Sequence, residues 1–184
     1  MTRFGFVPLL LLVGGCQLAA INENVDSPFY PPPVGSKLIL KKDITIPFES
    51  AHVMLQGGQT VNQRSVNNYQ PNCRFEVNAV LNTPQTVTAD EFQVTHVSTN
   101  NYQVKSGDGF IKVSNLSWFN YVTIMKLSSP RQPQVRSLTC QQWGDPSYGK
   151  QASITQMRAA MGDFFSLELP PGTPGGGTTE PASK

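Results

Sequence analysis

Short runs rich in β-branched and aromatic residues recur along the middle of the chain, separated by Gly, Pro, Asn and Asp. This rhythm constrains the fold more than any other feature, because runs of about 4–8 such residues bounded by turn formers read as strands. The clearest is Cys73–Leu81. Cys73, Phe75, Val77 and Ala79 alternate with Arg74, Glu76, Asn78 and Val80, a period of two that gives one apolar face. Further strands are expected over Lys37–Lys41, Ala51–Gln56, Phe92–Ser98, Gly109–Val113, Trp118–Leu127, Val135–Trp143 and Phe164–Leu169. Left-handed backbone is easiest at Gly57-Gly58, Asn67-Asn68, Asn100-Asn101 and Gly107-Asp108-Gly109, so turns are placed there. The pattern predicts a mostly β fold, an antiparallel β-sandwich or small barrel.

One short C-terminal helix is expected. Ser153 followed by Gln156 forms a capping box, Ile154, Met157 and Met161 share a face, and Gly162 suits the stop. The flanks read differently. Residues 17–36 carry no sustained apolar period, and Pro28, Pro31, Pro32 and Pro33 favour extended polyproline backbone, so this stretch reads as a tether that could reach roughly 60 Å. Docking of Phe29 and Tyr30 on the domain or on a partner is the alternative. Residues 170–184, PPGTPGGGTTEPASK, lack large apolar side chains and read as a disordered tail. The globular domain is therefore expected over residues 37–169.

The first fifteen residues place Arg3 before an apolar run from Phe4 to Val13, the size of a signal-peptide core and too short to span a bilayer. The run ends in Val13-Gly14-Gly15-Cys16. This resembles the lipobox of bacterial lipoprotein precursors. The resemblance implies a signal peptide over 1–15, cleavage before Cys16, and lipid on the Cys16 thiol. Val13 stands where Leu is usual. An ordinary signal-peptide cut after Ala19 or Ala20 would put Gln17 or Leu18 at a position that calls for a small residue. Within the lipoprotein family, Gln17 after the Cys points to the outer membrane facing the periplasm. Two or three acyl chains would give a durable anchor, since each buried methylene contributes about 0.8 kcal/mol. The segments IPFESAHVMLQGG and YQPNCRFEV also resemble uncharacterised proteobacterial lipoproteins, a likeness that carries no activity.

With Cys16 taken by lipid, Cys73 and Cys140 remain as a pair in an exported domain, and a structural disulfide is expected. Buried free thiols or a metal pair are the alternatives, but there is no CxxC or HxxxH spacing. Closing the long loop between them is worth about 4 kcal/mol in the chain-entropy model.

Little in the sequence points to catalysis. His52 and His96 lie inside expected strands with apolar neighbours, there is no G-x-S-x-G elbow, and the Gly runs lack phosphate-loop context. Asp90-Glu91 reads as a solvated turn. No catalytic residue, metal or cofactor is expected. The net charge is +2, and loss of Arg3 with the signal peptide leaves 13 basic residues against the 12 acidic ones, which argues against nucleic acid as a partner. Tyr69 precedes one domain cysteine, and Trp143 and Tyr148 follow the other. A Cys73–Cys140 bond would bring these aromatics near one another. The favoured reading is that Trp143 fills the core beside the bond and the tyrosines cover its edge. The alternative is that Tyr69, Trp143 and Tyr148 form an aromatic–amide recognition surface. The expected function is binding or scaffolding of another envelope protein. A small-molecule or glycan binder is second and a hydrolytic enzyme third.

Overall fold

Alternation becomes strand where the sequence is most regular. In the computed structural model, which describes residues 24–104 and 118–176, Cys73, Phe75 and Val77 are buried on one face of the strand Asn72–Val77 while Arg74 and Glu76 turn to the other. In chain order the strands are β1 (Lys37–Leu40), β2 (Ile44–Ile46), β3 (His52–Gln56), β4 (Gln59–Val61), β5 (Asn72–Val77), β6 (Gln85–Val87), β7 (Asp90–Val104), β8 (Trp118–Ser128), β9 (Val135–Gly144) and β10 (Phe165–Glu168). Helix α1 spans Ile154–Met161. Among the described residues, eight strands form one antiparallel sheet in the order β10-β1-β7-β8-β9-β5-β3-β4, curled into a half-barrel, and β2 pairs with β6 in a small second sheet. No described helix is long and apolar enough to cross a membrane.

The hollow of the curl is the core. Phe75 meets Phe165 at 5.0 Å and Phe92 at 6.0 Å between ring centroids, and Leu38, Leu138, Met125, Ile154 and Met161 close around them. Full burial of one such side chain stabilises by roughly 1.5–3 kcal/mol. Helix α1 covers the open side of the curl, packing on β3, β5 and β10. Its capping box forms as expected. The Ser153 hydroxyl accepts from the Gln156 N–H at 3.2 Å, and the Gln156 side chain accepts from the Ser153 N–H at 2.9 Å. The helix stops at Gly162 (φ 54°) and meets the β3–β4 turn, where the Gly58 N–H donates to the Ala160 carbonyl at 3.1 Å. A Cβ on Gly162 would lie 2.3 Å from the Gly58 Cα, so glycine is required for this closure.

Cys73 and Cys140 face each other in register on β5 and β9, with their sulfurs at disulfide distance, 2.07 Å. Both are buried. The pair is placed to staple two central strands.

Several expectations are corrected. Asn100 and Asn101 form no turn; they continue β7 opposite Val122 and Tyr121, so the strand runs to Val104 instead of Ser98. The strand from Cys73 ends at Val77, where a register shift against β9 turns the chain away and leaves Val80 and Leu81 exposed. Asp90 is no solvated turn residue. Its side chain is 3% exposed and accepts from the Ser129 hydroxyl (2.7 Å), the Gln132 amide (3.2 Å) and the Arg131 guanidinium. Burial raises its pKa, but these bonds and the Glu91 N–H outweigh burial and hold it at about 2. Glu91 does face solvent, paired with Lys37 at 2.9 Å.

The domain also begins before residue 37. Val25 and Tyr30 pack against the core, the Thr155 N–H donates to the Val25 carbonyl at 3.2 Å, and the Val94 N–H donates to the Ser36 carbonyl at 2.9 Å. Residues 24–36 are thus docked, not an extended tether, while Phe29 stays exposed. Residues 170–176 turn back beside this segment, with Gly175 against Val25. The expected signal peptide over 1–15, Cys16, the expected strand Gly109–Val113, the expected turn at Gly107–Gly109 and the tail beyond Gly176 lie outside the described residues.

Candidate aromatic groove

The sheet has two ends. Past the cysteine pair, β8 and β9 run on while β5 stops at Asn72, and the apolar filling gives way to aromatic and amide side chains. Register defines what they share. Asn120 sits between Tyr102 and Trp143 across β7, β8 and β9, on the convex face. One row nearer the core, Val122 pairs with Gln141 and Gln141 with Asn72. The amides form a ladder across three strands. The Asn120 amide donates to the Gln141 side-chain oxygen at 2.9 Å, the Gln141 amide to the Asn72 oxygen at 3.3 Å, and the Asn72 amide to the Gln70 carbonyl at 3.0 Å. The oxygen of Asn120 is itself shielded from solvent and takes no hydrogen bond among the described residues.

Beside this ladder stand three rings. Tyr69 packs edge-on against Trp118 at 5.0 Å and Trp143 at 5.7 Å. The loop that carries Tyr69 is held by backbone. The Trp143 N–H donates to the Asn68 carbonyl at 2.7 Å, and Gln56 bonds both the N–H and the carbonyl of Asn67. Asn67–Gln70 is a turn, as expected, closed by the Gln70 N–H on the Asn67 carbonyl at 3.1 Å.

Trp143 therefore does not fill the core beside the cysteines. It lies on the opposite face from Cys140, half-buried. Tyr69, Trp143 and Tyr148 all line one open groove of about 630 Å³. Its other walls are Gln142, Lys150 and Asp26 with the first turn of α1. The loop bearing Tyr148 is tied by its own turn, with the Ser147 and Tyr148 N–H groups donating to Asp145, and by the Gln142 amide on the Lys150 carbonyl at 2.8 Å. Gly149 is required here. A Cβ on it would lie 2.2 Å from the Tyr121 ring. Tyr148 is 83% exposed and Tyr69 56%.

Trp118, Tyr102 and the amide ladder were not expected at this site. Their place depends on the pairing of β8 with β7 and β9, which no local pattern reveals. The strand alternation of Trp118–Leu127 did show that Trp118 and Asn120 share a face.

The histidines are not brought together. His52, Glu76, Ser137, Lys126 and His96 lie along one row across β3, β5, β9, β8 and β7, so four strand spacings of about 4.8 Å separate the two rings. The His52 Nε2 lies 3.2 Å from the Gln63 side-chain oxygen, and Glu76 is engaged by Arg74 at 2.6 Å and by the Ser137 hydroxyl. Among the described residues no three His, Cys, Asp or Glu side chains group as metal ligands. Compared with protein-family models, curated proteins and solved structures, the chain finds no match.

Proposed function

We propose that the chain is the precursor of a bacterial lipoprotein, anchored through lipid on Cys16 in the outer membrane, whose β-domain binds another envelope protein on its periplasmic side. The Val13-Gly14-Gly15-Cys16 sequence and Gln17 support the anchor and its address. Cysteines at disulfide distance suit an oxidising compartment. One observation carries the binding role: Tyr69, Trp143 and Tyr148 line a single groove that is open to solvent and backed by a stapled sheet. Rigid amphipathic aromatics lose little conformational freedom on contact and are enriched at the centres of protein interfaces. The wide separation of the histidines supports binding over hydrolysis.

A glycan ligand is the second reading. The amide ladder Asn120–Gln141–Asn72 beside Trp118 and Trp143 supports it, since amides and ring faces together suit sugar hydroxyls and C–H faces. The test places a photo-reactive residue at Tyr148 in intact cells. A discrete crosslinked protein, lost when Trp143→Ala is added, is the expected result. A glycan or lipid adduct with no protein would overturn the protein-partner reading. For the anchor, Cys16→Ser is expected to accumulate as unlipidated, uncleaved precursor, and normal maturation would defeat it.

A further inference from the structure

On its outer side β7 outruns its neighbour β1. β1 pairs with β7 only from Lys37↔Gln93 to Leu40↔Asp90, extended by the bonds between Val94 and the Gly35-Ser36 backbone at 2.9 Å. Before Gly35 the chain reads Pro31-Pro32-Pro33-Val34, and proline has no N–H to donate, so β1 cannot zip further along β7. Past Val94, no described strand lies on the outer side of β7.

Register gives the direction of the peptide groups there. Cys73 and Cys140 form a narrow pair, Cα to Cα 4.0 Å, the kind whose peptide groups point away from each other. Cys140 therefore addresses Thr123 on β8, Thr123 turns away from β7, and its β7 partner Thr99 turns to the open side. By alternation Val97 and Asn101 do the same. A groove of about 460 Å³ runs along this edge, walled by Tyr30–Val34, by Val97 and Thr99 of β7, and by Thr173.

The sheet's other edges are short or blocked. On β10 the Leu167 carbonyl is taken twice by Arg158, at 2.7 and 3.1 Å, and β4 has three residues. Edges exposed to solvent usually carry Lys, Pro or another guard against pairing. His96–Val104, HVSTNNYQV, has no Lys, Arg, Asp, Glu or Pro.

We propose that this edge takes up a second copy of the same chain, β7 against β7, antiparallel about a two-fold axis. The occupant follows from charge. An uncharged strand set against itself brings no like charges together. The groove likewise offers no charged side chain with which to select a foreign strand. Pairing joins two sheets into one and sets both aromatic faces on a single continuous surface, with Tyr102 of each copy beside the seam. The inference holds whatever class of ligand the aromatic groove takes.

Sedimentation equilibrium of the full-length chain in density-matched detergent tests it, alongside Thr99→Lys and Asn101→Pro. The wild type is expected to reach a dimer as concentration rises. Both variants, with native near-ultraviolet dichroism, are expected to dissociate at least tenfold more readily. Amide exchange is the readout that needs no variant: the Val97, Thr99 and Asn101 N–H groups are expected to gain protection with concentration. A wild type monomeric throughout would overturn the proposal. So would a dimer that both folded variants leave intact, or one in which those amides exchange as fast as in the monomer.

Discussion

The two ends of the curled sheet share β7, β8 and β9 and do opposite things. At the closed end, Phe75, Phe92, Phe165 and Met125 fill the hollow under α1, and the one deeply buried carboxylate among the described residues, Asp90, is held by Ser129, Arg131 and Gln132. At the open end, past the cysteine pair, Trp118, Trp143 and Tyr69 stay on the surface, Tyr102 and Tyr148 are exposed, and amides replace apolar residues. The same β8 and β9 supply Met125 and Leu138 to one end and Trp118 and Trp143 to the other. Stability is concentrated where side chains are removed from water. The other end is free to keep aromatic rings at the surface, where a partner can bury them.

The contrast can be broken by substitution, starting at the closed end. Phe75→Ala removes a fully buried ring from the three-phenylalanine cluster and should cost roughly 3–5 kcal/mol, read from urea unfolding. Replacing Cys73 and Cys140 by Ala should cost about 4 kcal/mol, since the loop they close spans a sequence separation of 67. No loss beyond about 1 kcal/mol would mean the thiols are unpaired in the folded protein.

Acid sharpens the contrast further. The folded pKa of Asp90 lies near 2, below the ordinary 3.8. Its contribution is therefore complete above about pH 4 and is lost as pH falls through 2. The difference is worth about 2 kcal/mol, because the carboxylate is buried even though Arg131 is 71% exposed. Asp90→Asn should flatten that part of the stability profile. At the open end Tyr148→Ala should shift stability by less than about 0.5 kcal/mol while reducing capture of the partner.

What the sequence reveals follows the same division. The alternation through Cys73, Phe75 and Val77, the capping box at Ser153 and the stop at Gly162 are local, and the strands and helix they announce are present. β2, β4 and β6 have three residues each, too few to show a period. The burial of Asp90 depends on Ser129, Arg131 and Gln132, some forty residues away, so its local TADEF context reads as solvent. A polyproline stretch has one composition whether free or docked, and residues 24–36 dock because Val25, Tyr30 and Ser36 find partners on α1, the core and β7. Asn100-Asn101 prefers a turn locally, and pairing with β8 overrides that preference. Tyr69, Trp143 and Tyr148 were legible because each lies near a cysteine. Trp118 was not, since only strand order brings it to Tyr69.

The claim that the open end serves recognition while the closed end holds the fold is tested most directly by a Tyr69→Ala/Tyr148→Ala double variant, with urea unfolding and photo-crosslinking from Trp143 measured on the same preparations. The account predicts an unfolding free energy within about 1 kcal/mol of the parent, which carries the same crosslinker, and loss of most of the crosslinked partner. A double variant that unfolds several kcal/mol more easily, or that captures its partner undiminished, would contradict it.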